Sequence, residues 1–298
     1  MAHFKTRVST ALIFLCVPFL TSIAAAQPLR TVYFEEFLSQ RFGSGTAAWN
    51  AQEFCPTETN LAARRVFESY GALYVAADTV SLPSVCIYDG EGSVLRYQKQ
   101  LKTEVVEVRI PIALQTAAAR SLRVSVDEIT ASGLRLSPLD GAIAGGRTYG
   151  DTLMLWNSRV FPALTYWNKK KRITSDELYV FAGVELANKI LTILEWEEKG
   201  IYFSTDRSRS ILTSTAPPGS SQHISLLAFD IVEYWNPSVR SILNKNGWYQ
   251  TVVDDPPHFT YLGLPEGELP GRGLKMVSKA GHNFWVPNLA PRPGVLTN

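Results

Sequence analysis

Asp230 ends the apolar run Ile224-Ser225-Leu226-Leu227-Ala228-Phe229. A carboxylate carried into the interior by such a run is costly unless it is paired or coordinates a metal. His223 opens the run, and the segment between reads as a buried strand reaching Asp230. A second segment, Asp254-Asp255-Pro256-Pro257-His258-Phe259-Thr260-Tyr261, places another histidine at the head of an alternating strand-like pattern. The chain between them can fold back. Asn236-Pro237 is an N-cap and first-turn pair. Val239, Ile242 and Leu243 form one apolar helical face, and Gly247 stops the helix. Trp248 to Val253 then reads as a strand. This strand, helix, strand, turn, strand order places Asp230 beside His258.

Two histidines, one aspartate and a vacant fourth position fit a catalytic zinc site. Taken singly, each histidine reads as well as a satisfied core residue. The chain has few others: His3, His223, His258 and His282 are all it contains. His282, in Lys279-Ala-Gly-His-Asn-Phe-Trp285, reads as structural because three ligands are already present. Trp235, Trp248, Tyr249 and Trp285 serve as cleft walls or as core.

The same segments resemble the zinc D-alanyl-D-alanine carboxypeptidases, the VanY-like group of LAS metallopeptidases. Ser221, His223, Ala228 and Asp230 fall on the fixed positions of that family's Ser-x-His-x-x-Gly-x-Ala-x-Asp motif. His258, Phe259, Tyr261 and Gly263 fit its Glu-x-x-His segment, and Phe203-Ser-Thr-Asp-Arg-Ser208 is similar to its Ser-Gly-Tyr-Arg-Ser segment. The likeness spans residues 200–263. The chain departs from it at Leu226, where the family has Gly, at Thr205 and Asp206 in place of Gly-Tyr, and at Asp255 in place of the catalytic Glu.

The resemblance implies one zinc ion per chain, held by His223, Asp230 and His258. It implies Asp255 as general base, with Arg207 acting on the substrate in catalysis and binding. Ser221 is expected to hydrogen-bond within its loop or to substrate. No Gly-x-Ser-x-Gly elbow supports a serine nucleophile. The implied fold is α+β: a C-terminal LAS-type domain with a small antiparallel sheet and flanking helices, after a strand-containing N-terminal region. The implied substrate is a peptidoglycan stem peptide, cleaved by carboxypeptidase or endopeptidase action. A non-catalytic cell-wall-binding protein of the same fold, and a secreted peptidase acting on ordinary L-peptides, are the rival readings.

The N-terminus agrees with an exported location, periplasmic or secreted. Lys5 and Arg7 precede the apolar run Ala11 to Leu20, and Ala24-Ala25-Ala26 offers a cleavage site, so residues 1–26 read as a signal peptide. That run is short for a bilayer span, and no later stretch is long enough, so no membrane span is expected after cleavage. The chain carries 29 Lys+Arg against 27 Asp+Glu. Loss of Lys5 and Arg7 leaves the mature part near neutral, without the basic excess of a nucleic-acid binder. Cys55 and Cys86 then form an even pair, and export favours a disulfide over two buried thiols. Closing that loop is worth roughly 3 kcal/mol in the chain-entropy picture.

Domain organisation is expected as residues 27–150, of unknown role, and residues 151–298, the zinc peptidase-like part. Residues 60–71 read as a short helix ending at Gly71. Leu73–Ala77, Val94–Tyr97 and Glu104–Ile110 read as strands. Gly141–Gly150 lacks the Gly-Lys-Ser/Thr of a phosphate loop and reads as a linker or surface loop. Leu153–Trp167 and a long segment 176–198, capped by Ser175, read as helices. Lys169-Lys170-Lys171-Arg172 reads as a solvated turn between them.

Overall fold

A computed structural model describes residues 32–43 and 50–291 together with Met1. The signal-peptide reading therefore lies outside the described residues, apart from Met1. The described residues 32–43 and 50–291 belong to one compact unit. The fold is α+β, with helices and small antiparallel sheets. In chain order the helices are α1 (Phe34–Gly43), α2 (Ala51–Phe54), α3 (Leu61–Tyr70), α4 (Glu91–Gln98), α5 (Thr116–Ala131), α6 (Tyr149–Lys169), α7 (Ser175–Gly183), α8 (Leu186–Glu198) and α9 (Pro237–Lys245). The strands are β1 (Thr103–Val108), β2 (Ile110–Gln115), β3 (Ala228–Asp230), β4 (Trp248–Gln250), β5 (His258–Tyr261), β6 (Leu274–Lys279) and β7 (His282–Pro287). No helix among the described residues is long and apolar enough to cross a membrane.

The central sheet has the order β3-β5-β4, all antiparallel. Its Phe229, Trp248 and Phe259 pack in one core with Val106, Ile112 and Leu114 of the β1–β2 hairpin and Leu122 of α5. A second core, around Trp156 of α6, Ile193 of α8 and Phe203, also takes in Val252. The turn before β5 is thus held against the helical layer. Cys55 and Cys86 are joined by a disulfide.

Several expected elements change type. Val94–Tyr97 lies in α4, where Val94 and Tyr97 are buried and Leu95 and Arg96 exposed, a helical rather than an alternating pattern. Gly71–Val75 is a buried 3-10 turn. With every residue inside, no alternation marks a strand. The expected 176–198 helix is two helices, broken at Val184 and Glu185, both extended. Its N-cap is Thr174, not Ser175, in a capping box with Glu177. β4 stops at Gln250 because the chain turns out of the sheet towards Asp254, whose φ is 70°.

Candidate metal centre and active site

The expected strand from His223 to Asp230 is a turn followed by a short strand. Gln222–Ser225 forms one 3-10 turn, capped by Ser221, whose Oγ accepts from the His223 N–H at 3.4 Å. Leu226 then reverses the chain at φ 56°. A non-glycine residue pays for that left-handed conformation, and this is the position where the resembled motif has Gly. β3 follows and pairs with β5 so that Asp230 stands opposite His258. The sheet register and the turn together bring three donor atoms into one triangle. His223 Nε2 lies 3.2 Å from Asp230 Oδ1, His258 Nδ1 lies 3.0 Å from the same oxygen, and the two nitrogens are 3.1 Å apart.

The outer faces of both rings fix where their protons lie. His223 Nδ1 is 2.7 Å from the Gly145 carbonyl, which can only accept. His258 Nε2 is 2.7 Å from Gln222 Oε1. The Gln222 amide is oriented in turn, because its Nε2 donates to the Tyr70 carbonyl at 2.7 Å. Assigned from these partners, both outer nitrogens carry the proton and both inner nitrogens are bare. Three electron-pair donors then face one another with no proton between them, in a site where both rings are buried. Such a set is repulsive without a cation. A tetrahedral zinc ion with bonds of about 2.0–2.1 Å would set ligand atoms about 3.4 Å apart. The residues present fit that ion, with outer hydrogen bonds of the kind that orient metal-bound histidines.

Gly141–Gly150, expected as a linker or surface loop, instead forms a wall of this site. Its backbone passes so close that a Cβ at Gly145 would lie 2.6 Å from Ile112 and one at Gly146 2.5 Å from Leu226. The Arg147 Nη2 donates to Asp230 Oδ2 at 2.6 Å, and its Nε donates to the Ile143 carbonyl. Burial alone would raise the Asp230 pKa; without a cation, protons shared from His223 and His258, together with the Arg147 charge, hold it well below the usual carboxylate range. Burial and the Arg147 charge push His223 down to about 4.

Asp255 lies in the turn before β5, where its carbonyl accepts from the His258 N–H. The residue is half-buried, and its carboxylate takes no hydrogen bond among the described residues. Burial and the nearby Asp230 charge push it up to about 6, against the pull of His258, Arg147 and Arg159. Asp254 is tied elsewhere, to Lys279 at 2.7 Å and Arg209 at 3.7 Å. Arg159 projects from α6 with its Nε buried and unpartnered. Its Nη1 donates to Ser158 Oγ. Arg207 sits with its guanidinium 4.5 Å over the Tyr166 ring. The structure therefore gathers His223, Asp230 and His258 with Arg147, and sets Asp255 near enough to feel the charges of Asp230, His258, Arg147 and Arg159. It places Arg207 on Tyr166 and Ser221 in its own turn. His282 contacts the Gln250 amide between Tyr234 and Phe284, apart from the triangle. Trp248, Tyr249 and Trp285 are core, while Trp235 is exposed.

Sequence reasoning missed Gln222, Arg147 and Arg159. Arg159 carried a readable signal: a lone arginine within the apolar, aromatic stretch Leu153–Trp167. Arg147 carried a weaker one, as the only charge between Gly141 and Gly150.

A scan against protein-family models finds no match, and a search of curated proteins finds none either. Among solved structures, the chain matches a vancomycin resistance D,D-pentapeptidase, VanY of a VanB-type resistance cassette, solved as a mutant in complex with Zn(II). The sequences are 17% identical, the TM-score is 0.33, and the match covers 62% of this chain and 86% of that one. That similarity is weak, and the assignments above rest on the site geometry.

Proposed function

We propose that this protein is an exported zinc-dependent peptidase that cleaves peptidoglycan stem peptides, as a D,D-carboxypeptidase or endopeptidase. One observation carries the reading: three atoms able to donate electron pairs converge within about 3 Å of one another, near a carboxylate that takes no hydrogen bond among the described residues. His223, Asp230 and His258 would hold one zinc ion. When bound, zinc supplies Lewis acidity, acidifying water and polarising a carbonyl.

Asp255 takes the proton of the attacking water and returns it to the leaving amine. A carboxylate pushed up to about 6 is matched to that task near neutral pH. Arg147 holds the second oxygen of Asp230 and so fixes which oxygen faces the histidines. Arg159, with a free buried N–H, is the substrate-side cation on this reading, and Arg207 lines the approach. Residues 151–298 form the peptidase-like part in this proposal, with Gly145 and Arg147 contributed by residues 27–150. The Cys55–Cys86 disulfide supports an oxidising compartment, as residues 1–26 would require if they direct export.

Mass spectrometry of peptidoglycan fragments after digestion tests this directly. Loss of a terminal D-alanine identifies a carboxypeptidase, and opened cross-links identify an endopeptidase. Untouched stem peptides after treatment with fully zinc-loaded protein would reject catalysis and favour a cell-wall-binding role.

A further inference from the structure

A surface helix normally turns charged residues to water, and α6 does not. Its outward row is Met154, Ser158, Phe161, Thr165 and Lys169, all exposed and at helical spacing. About four turns pass before the first charge in that row. The helix α7 folds back against α6, with Phe181 in one core with Val160 and Leu164. It adds Tyr179, 83% exposed, and Val180, 64% exposed, to Phe161, 60% exposed, on α6. Between the helices, Phe161, Leu178 and Ala182 line an apolar groove of about 430 Å³ whose one charged wall residue is Lys189. Apolar surface of this kind marks an interaction site.

The charge beside this surface has one sign. Residues 152–175 hold five cations, Arg159 and Lys169 to Arg172, and no acid. Four of the five form the closed end of the hairpin, Lys169-Lys170-Lys171-Arg172, and all four are exposed. Lys170 lies 5.8 Å over the Tyr166 ring and Arg172 5.8 Å over Trp167. Arg172 also donates to the Lys199 carbonyl. None of the four is paired with an acid among the described residues. The acids that follow, Asp176 and Glu177, lie in the first turn of α7, where Glu177 closes the capping box with Thr174.

We propose that the α6–α7 hairpin docks this protein on an anionic lipid bilayer. The lysines meet lipid phosphates, and Phe161 and Tyr179 enter the boundary between headgroups and acyl chains. Charge and apolarity together select this occupant. A soluble polyanion would satisfy the lysines but leave Phe161 and Tyr179 in water, whereas a bilayer serves both. The attachment is peripheral, because no helix among the described residues is long and apolar enough to cross a membrane. The inference is independent of the peptidase reading.

The probe is a phosphatidylcholine vesicle containing about one-third phosphatidylglycerol, cosedimented with the full chain. Residues 1–26 are the same in every protein compared, so the differences between proteins report on the hairpin. Wild type binds, and raising salt from about 0.1 M to about 1 M weakens binding by screening the lysines. Lys169→Gln, Lys170→Gln and Lys171→Gln together weaken it roughly a hundredfold, about fivefold for each lysine. Phe161→Ser with Tyr179→Ser weakens it about tenfold or more. All these side chains are exposed, so the melting temperature of each variant stays that of wild type. No binding by wild type, or equal binding by all three proteins, overturns the proposal. Loss in the lysine variant alone would also overturn it, by assigning the patch to a soluble polyanion. So would a wild-type dimer that Phe161→Ser dissociates without any change in vesicle binding, since the face would then belong to a second copy.

Discussion

Asp230, on the β3–β5 ladder, and Asp255, in the turn before β5, both act on His258 under opposite conditions. Asp230 has every oxygen engaged: Oδ1 meets both rings and Oδ2 meets Arg147. Asp255 has no hydrogen bond to its carboxylate among the described residues. Regular pairing places the first residue rigidly, and the turn leaves the second free to act. The electrostatics follow the same division, with Asp230 held well below its ordinary range and Asp255 pushed up to about 6. A ligand must remain ionised, whereas a group that takes and returns protons needs a value near working pH.

The largest expected effects fall on the ladder. His223→Ala or Asp230→Asn should abolish zinc binding and hydrolysis together, read by metal analysis and turnover of a stem peptide. Full zinc occupancy in either variant would overturn the ligand assignment.

Next comes the turn. Asp255→Asn should keep zinc and lower kcat by about 10²–10⁴-fold, the range for a lost general base. Asp254→Asn, which only releases Lys279 and Arg209, should be mild. A reversal of the two results would show that the residue facing the cleft is wrong by one.

The arginines sharpen the contrast between cleft and rim. Arg159→Ala should lower kcat/KM by about tenfold to several hundredfold, with little change in zinc content. Arg207→Ala should cost less, because its guanidinium lies on Tyr166. A larger loss at Arg207 would return the substrate-binding role to it.

The smallest effect is on stability. In zinc-stripped protein Asp230 is depressed, so its contribution is present above the unfolded value near 3.8 and is lost on acidification. Asp255 is raised, so its contribution is present below that value and is lost as pH rises through about 6. Urea unfolding should therefore find Asp255→Asn more stable than wild type at pH 7, by at most about 3 kcal/mol. The gap should close below about pH 4. A gap independent of pH would mean that Asp255 is not perturbed.

The sequence was most legible where local rules decide the outcome. Asn236-Pro237 caps α9 as expected, and the order of elements set Asp230 opposite His258. It was least legible where tertiary packing overrides local pattern. Leu226 in a left-handed conformation turns an apparent strand into a turn, which no alternation rule reveals. Gly145 and Arg147 reach the site from some 80 residues upstream in sequence, through a glycine-rich backbone whose role depends on Ile112 and Leu226 packing against it. Gln222 sits beside His223 in sequence, but its amide acts on His258 across the sheet. The fully buried Gly71–Val75 turn offers no exposure pattern to read at all.

The central claim is that His223, Asp230 and His258 form one zinc site. Elemental analysis of the purified wild type and the His258→Ala variant, after dialysis against limiting zinc, tests it most directly. The account predicts one zinc per chain in the wild type and none in the variant. Equal zinc in both proteins, or none in the wild type, would contradict it.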